Sequence, residues 1–75
     1  MSHWNYRVVR KSHVDSSEFS YNIHEVHYDD AGIPTNCSMS AIAPYGSSHE
    51  ELRRDLDTMR RAFDLPTLDY DDLFT

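Results

Sequence analysis

Residues 47–63 read SSHEELRRDLDTMRRAF, and this stretch decides the fold. A serine followed three residues later by glutamate is the capping-box pattern that begins a helix, and Ser47 and Ser48 each start one such pattern. Apolar residues then recur at spacings of four, three and four, which places them in one stripe on a helix. The stripe consists of Leu52, Leu56, Met59 and Phe63, joined by Ala62. The sequence therefore predicts an amphipathic helix over 48–63 that covers a sheet with this stripe.

Three segments before the helix have the pattern of β-strands. Residues 4–10 alternate between two faces, and residues 19–28 are rich in aromatic and β-branched side chains. Residues 29–32, DDAG, are a turn signal that leads into a third strand over 33–39. Pro34 has no backbone N–H to donate, which favours an edge position for that strand.

These elements predict an α+β fold with a three-stranded antiparallel sheet packed by one amphipathic helix, in the order β-β-β-α. We expect a single domain over 1–75, with the sheet in 4–40, the helix in 48–63 and an acidic C-terminal tail in 64–75. The alternation of the second strand changes face near Glu25. Either both faces of that strand are partly covered, or a bulge shifts the register there.

Length and composition limit what the domain can contain. With 75 residues, of which 39% are apolar, the chain can build a small core but no deeply buried active site. It has no apolar run long enough to span a bilayer and no signal-peptide pattern, so we expect a cytoplasmic protein. The single cysteine, Cys37, cannot form an internal disulfide framework or a multi-cysteine metal site, and we expect it to be buried.

The net charge of −6 is unevenly distributed. Residues 1–11 carry +3, residues 12–46 carry −5, the helical stretch 47–63 is neutral, and the tail over 64–75 carries −4. In the helix, acids precede arginines by four residues, so most arginines are expected to pair with acids on the helix surface. Because nucleic-acid affinity depends on cationic contacts with phosphates, this distribution argues against direct binding of DNA or RNA.

Three groups of residues could carry chemistry, and each has a structural explanation. His24 and His27 have the residue type of metal ligands, but three residues apart on a strand they lie on opposite faces. The run Ser-Ser-His-Glu at 47–50 contains the residue types of a catalytic triad, yet helix capping accounts for it. The acid pairs at 29–30 and 71–72 have no EF-hand spacing and no evident pocket. We therefore expect no catalytic residue, no metal site and no cofactor.

Two acidic segments are the candidate binding surfaces. Carboxylates along the hairpin 25–30 can imitate a row of phosphates and occupy a basic groove, although an ordinary solvated hairpin has the same composition. The tail alternates acids with apolar residues that either enter a partner's groove or fold back over the domain. These apolar residues are Leu68, Tyr70, Leu73 and Phe74. The candidate partner-binding residues are Glu25, Asp29, Asp30, Asp69, Tyr70, Asp71 and Asp72.

Two stretches resemble a known set of sequences. Residues 24–34, HEVHYDDAGIP, and residues 48–73, with LP at 65–66 and LDY at 68–70, are similar to short uncharacterised bacterial and phage proteins. This resemblance covers roughly half of the chain. It implies a prokaryotic or mobile-element origin and no particular activity. In size, acidity and lack of enzyme motifs, the chain is also similar to anti-CRISPR proteins, small phage inhibitors that often block the nucleic-acid-binding surfaces of Cas complexes.

The predicted strand order and the serine-led helix, which reads EEL at 50–52, also resemble HicB-type antitoxins. This sequence departs from that family in having neither its Gly-rich turns nor its DNA-binding extension.

The similarities lead us to expect a non-enzymatic acidic binding protein in the cytoplasm of a bacterial host cell. It would be a phage or mobile-element inhibitor of the anti-CRISPR type, a DNA mimic that covers a basic nucleic-acid-binding surface of a host complex such as a Cas effector. The alternative is a HicB-like antitoxin that binds a small basic toxin. We expect no direct contact with nucleic acid or membrane, and a monomer or a homodimer formed by pairing of the exposed third-strand edge.

Overall fold

The computed structural model describes residues 3–13, 15 and 17–73. The secondary-structure elements, in chain order, are β1 (His3–Ser12), β2 (Phe19–Tyr28), β3 (Pro34–Cys37), α1 (His49–Arg60), a 3-10 helix (Arg61–Asp64), β4 (Leu68–Asp69) and a second 3-10 helix (Tyr70–Leu73). The strands form one curled sheet in the order β3-β2-β1-β4. β1 pairs antiparallel with β2, and β2 with β3, whereas β4 runs parallel to β1.

The predicted α+β class with a single helix is confirmed, but the sheet is not a purely antiparallel sheet of three strands. The chain returns after Pro66 and adds β4 to the free edge of β1, with Leu68 opposite Val9 and Asp69 opposite Arg10. This arrangement satisfies backbone groups on the β1 edge that the predicted fold left unpaired. Because β4 has only two residues, it has no alternation from which the sequence could have revealed it.

One face of the sheet, the tail-side face, is covered by the C-terminal tail. Leu73 of the second 3-10 helix packs into a buried cluster, and Leu68 and Tyr70 lie against its margin. The buried cluster consists of Val9, Val26, Tyr28, Cys37 and Leu73. Of the two alternatives for the tail, the structure therefore has the one in which its apolar residues fold back. Phe74, expected to be a further tail anchor, lies outside the described residues.

The opposite face, the helix-side face, is only partly covered by α1. Met59 and Ala62 are buried, but Leu52, Leu56 and Phe63 remain exposed. The expectation that the whole apolar stripe covers the sheet is therefore wrong. The helix approaches the sheet near Tyr6, whose hydroxyl donates to Asp55 Oδ1 at 3.2 Å, and a groove stays open between the helix and β2.

The start of α1 follows the predicted capping pattern. Ser48 is the N-cap, and its Oγ accepts a hydrogen bond from the Glu51 backbone N–H at 3.1 Å. The Glu51 carboxylate accepts in turn from the backbone N–H of Ser47 at 3.0 Å and from its hydroxyl at 2.6 Å. These bonds satisfy donors that a helix N-terminus otherwise leaves unpaired. They also hold the pKa of the Glu51 carboxyl below its usual value.

In β2 both faces are partly covered, which was one of the two alternatives for the changed alternation. Val26 and Tyr28 are buried on the tail-side face, and Ile23 is half-buried on the helix-side face. Near Glu25 the pairing of β2 with β1 continues without a break. The one irregularity lies between His27 and Tyr28, where the pairing with β3 shifts.

Candidate functional site

The predicted hairpin turn between β2 and β3 holds two candidate residues in exposed positions. Asp29 Oδ1 accepts hydrogen bonds from the backbone N–H groups of Ala31 at 2.9 Å and Ile33 at 3.0 Å. Gly32 has a φ of 81°, which glycine adopts without steric cost. The turn is therefore organised by the Asp29 side chain, while Asp29 and Asp30 both remain exposed to solvent.

The tail holds two more exposed candidates, Asp71 and Asp72, on its 3-10 helix. The ends of that helix are fixed to the core, because Leu73 is buried and Tyr70 is half-buried. Asp72 and Leu73 also line the same surface groove as Pro34, the first residue of β3. The fold thus places Asp72 beside β3, the strand that follows the hairpin turn.

The tail is held in place by a buried arginine on the tail-side face. Arg7 is only 8% exposed, and its guanidinium donates from Nη1 to the Tyr28 hydroxyl at 2.8 Å and from Nη2 to the Pro66 carbonyl at 2.7 Å. The Tyr28 hydroxyl donates onward to Asn5 Oδ1 at 2.7 Å. Arg7 Nε is buried without a hydrogen-bond partner among the described residues. This side chain connects the first strand, the hairpin and the start of the tail.

Sequence reasoning counted Arg7 only as a positive charge near the N-terminus. A signal for its role was present, because the alternation of β1 places Arg7 on the same face as the buried Val9. A charged residue on the apolar face of a strand calls for buried hydrogen-bond acceptors. The acceptors themselves are a hydroxyl from β2 and a carbonyl 59 positions along the chain, which no local pattern connects to β1.

Three of the seven candidate residues are half-buried. Asp69 forms an ion pair with Arg10 at 2.7 Å, and this contact raises the pKa of the arginine. Tyr70 is half-buried beneath the ammonium of Lys11, which lies 4.6 Å from the ring centre. Glu25 is half-buried on the helix-side face, opposite Tyr6 in the register of β1 and β2. The four acids that are both exposed and near the hairpin turn or the tail end are Asp29, Asp30, Asp71 and Asp72.

The electrostatic surroundings of Glu25 are those of the helix-side face. Burial raises the pKa of the Tyr6 hydroxyl, and the nearby carboxylates of Asp55 and Glu25 raise it further. Glu25 is thus separated by the sheet from the tail, and the expected continuous acidic strip from Glu25 to Asp30 is divided between a half-buried strand position and an exposed turn.

Several of the residues considered for metal binding or catalysis make structural contacts. His24 is buried, with Nδ1 2.9 Å from the Ser38 carbonyl oxygen, whereas His27 lies on the opposite face. Over the described part of the chain, no group of three or more histidine, cysteine, aspartate or glutamate side chains is placed to hold a metal ion. Ser47 and Ser48 both hydrogen-bond Glu51 at the helix start, and Cys37 is buried, which raises the pKa of its thiol.

Among the described residues, no helix is long and apolar enough to cross a membrane. Comparisons with protein-family models, with curated proteins and with solved structures returned no match for this chain.

Proposed function

We propose that this protein is a non-enzymatic binding protein that presents the hairpin turn and the tail end to a basic protein surface. The four exposed acids, Asp29, Asp30, Asp71 and Asp72, make the contact, and we call them the acidic end. In this proposal the protein is a phage or mobile-element inhibitor of the anti-CRISPR type. It acts as a DNA mimic on a nucleic-acid-binding surface of a host complex, with a Cas effector as the candidate partner.

The observation that supports the proposal is the fixed position of the tail. Arg7 holds the Pro66 carbonyl and Leu73 is buried, so both ends of the acidic tail segment are attached to the core. Charges on a fixed segment lose less conformational entropy on binding than charges on a free tail. A rigid set of carboxylates is therefore better suited to a rigid basic groove than a disordered acidic tail of the same composition.

The other candidate residues have supporting roles in this proposal. Asp69 is neutralised by Arg10, so it orients β4 and adds little to the outward field. Tyr70 packs between Lys11 and the core and fixes the position of the two tail acids that follow it. Glu25 lies on the helix-side face and is left out of the contact surface.

The test replaces the four acids together, as Asp29→Asn, Asp30→Asn, Asp71→Asn and Asp72→Asn. Asparagine keeps the side-chain oxygen that organises the turn at position 29, so the variant should fold. Each exposed charge contact contributes about 0.2–1 kcal/mol. Four of them predict a loss of about fourfold to nearly a thousandfold in affinity, together with a shallower dependence on salt.

A matched control carries the same change in net charge at four other exposed positions. Its substitutions are Asp15→Asn, Glu18→Gln, Asp57→Asn and Asp64→Asn. The assay measures binding of each protein to purified, guide-loaded Cas effector complexes over a salt series, and displacement of target DNA from them. The inhibitor proposal fails if the unmodified protein binds none of the complexes. The acidic end is the wrong surface if both quadruple variants lose affinity equally.

A further inference from the structure

The rings of Trp4 and Tyr6 form an aromatic corner on the helix-side face. Both residues belong to β1, and their ring centres lie 5.3 Å apart with the ring planes at 84°. Trp4 is 48% exposed, and a groove of about 520 Å³ between β1 and residues of 58–65 borders both rings. Because the face of an aromatic ring carries partial negative charge, two rings that meet at a right angle beside solvent can bind a cation.

The chain's own cations cover other rings but not the aromatic corner. The guanidinium of Arg10 lies 4.5 Å from the centre of the Phe19 ring, and the ammonium of Lys11 lies 4.6 Å from the centre of the Tyr70 ring. Over the described residues, no lysine or arginine is placed in this way over either ring of the corner. The corner is therefore open to a cation from another molecule.

The charge around the corner favours a cation. The Tyr6 hydroxyl donates to Asp55 at 3.2 Å, which polarises the ring. Burial raises the pKa of this hydroxyl, and the carboxylates of Asp55 and Glu25 raise it further, so they make the potential at the ring negative. Arg61 and Asp64 both line the groove and carry opposite charges, so the groove lining adds no net charge.

Glu25 is the carboxylate placed to share a cation with the two rings. It lies opposite Tyr6 in the register of β1 and β2, and so diagonally across from Trp4, about 7–8 Å away. Glu25 is half-buried, and within the described part of the chain it forms no ion pair. Partial removal of a carboxylate from water is costly unless a cation pairs with it. A cation between Glu25 and the rings makes both contacts at once.

We propose that the aromatic corner and Glu25 receive an arginine side chain of the protein partner. A planar guanidinium can stack on an aromatic face while its N–H groups donate to a carboxylate, which a compact ammonium does less well. For the source of the arginine, this proposal rests on the proposed function. Trp4 faces His27, two residues before Asp29, so the corner lies about 7 Å along the strand from the hairpin turn. One basic surface can thus contact the acidic end and place an arginine in the corner.

The test is a nuclear magnetic resonance titration of the full chain with the peptide acetyl-Gly-Arg-Gly-amide. Trp4 is the only tryptophan, so a single indole N–H signal reports on the corner. This signal and the backbone amide signals of residues 25–27 should shift with a Kd on the order of 10 mM, the strength of one cation–π contact and one exposed ion pair. The matched ligand has citrulline in place of arginine, which keeps the shape without the charge. It should bind at least about tenfold more weakly.

Variants of the corner and of the carboxylate test each contact separately. Glu25→Gln should weaken binding of the arginine peptide about twofold to fivefold, and Trp4→Leu about fivefold or more. Glu18→Gln is the matched control, since it makes the same change in charge just before β2, at the opposite end of the sheet, where Phe19 faces Ser12. It should leave the affinity unchanged. The amide spectra show whether each variant is folded, and the signals of residues 25–27 report binding where the indole is absent.

The proposal is overturned if the arginine peptide causes no shifts, if the citrulline peptide binds as tightly, if Trp4→Leu leaves the affinity unchanged, or if Glu18→Gln lowers it as much as Glu25→Gln. The titration uses no host complex, so its failure refutes the arginine site and leaves the acidic end untouched. Absence of binding to Cas effector complexes refutes the proposed function, and with it this source of the arginine, whatever the titration shows.

Discussion

Replacing Arg7 by methionine tests whether the buried guanidinium holds the tail on the core. Methionine keeps an apolar stem of similar length, so the change removes mainly the charge and its hydrogen bonds. A hydrogen bond from a charged donor contributes about 1.5–3 kcal/mol, which applies to the bond with the Pro66 carbonyl. The Tyr28 hydroxyl loses less, about 1 kcal/mol, because its bond with Asn5 remains.

These losses are offset in part because the substitution also removes the free-energy cost of burying the guanidinium, whose Nε has no hydrogen-bond partner among the described residues. We therefore expect Arg7→Met to lower the free energy of unfolding by about 1–3 kcal/mol. Arg7→Ala, which also removes the buried stem, should lower it by about 2–5 kcal/mol. A 75-residue domain has only about 4–11 kcal/mol in total, so the alanine variant approaches the limit of folding.

The assays for Arg7 are urea denaturation and native-state hydrogen exchange followed by mass spectrometry. We expect exchange in residues 65–73 to accelerate more than exchange in α1, because the lost bond to Pro66 fixes the tail directly. Arg53→Met is the control, since Arg53 lies on the exposed surface of α1 and its loss should change stability by less than about 0.5 kcal/mol. Unchanged tail exchange in Arg7→Met would refute the role assigned to this arginine.

Two further predictions concern the start of α1. Gly46→Ala should destabilise the domain by more than Gly32→Ala, for which we expect a cost of about 1–2 kcal/mol. A Cβ at position 46 collides with the backbone N of Leu52, whereas a Cβ at position 32 has no other atom nearby and is disfavoured only by the positive φ of that residue. Equal urea midpoints for the two variants would contradict this. The Glu51 contact with Ser47 should stabilise the domain fully at pH values above the usual glutamate pKa of 4.5, and this stabilisation should be lost as the pH falls through the lowered folded-state pKa. Between neutral pH and about pH 2, the melting temperature should therefore fall less steeply for Glu51→Gln than for the unmodified protein.

The parts of the fold that were predictable are those encoded locally. The helix start depends on Ser48 and Glu51, three residues apart, and the hairpin turn depends on Asp29 and Gly32, so each motif carries its own hydrogen-bond pattern. The α+β class followed from these motifs and from the alternation of the strands. No long-range contact was needed for any of them.

The parts that could not be predicted depend on contacts distant in sequence. Spacing identified the stripe of α1, but whether Leu56 and Phe63 are buried depends on how far the sheet extends beneath the helix. Six of the seven candidate binding residues were chosen by charge. Charge does not reveal that Asp69 is paired with Arg10 or that Glu25 lies across the sheet from the tail, and the role of the acidic end stays a proposal until the affinity measurements are made.

The attachment of the tail to β1 has a consequence for how the chain folds during synthesis. Val9 and Val26 are covered by Leu73, which is translated 64 residues after Val9. Closing so long a loop carries a large entropic cost and favours slow formation of that contact. Until residues 68–73 leave the ribosome, the β1-β2 hairpin exposes one apolar face and an unpaired β1 edge, which makes the nascent chain prone to aggregation. A chain that stops before Leu68 should therefore give a lower soluble yield than one that includes Leu73.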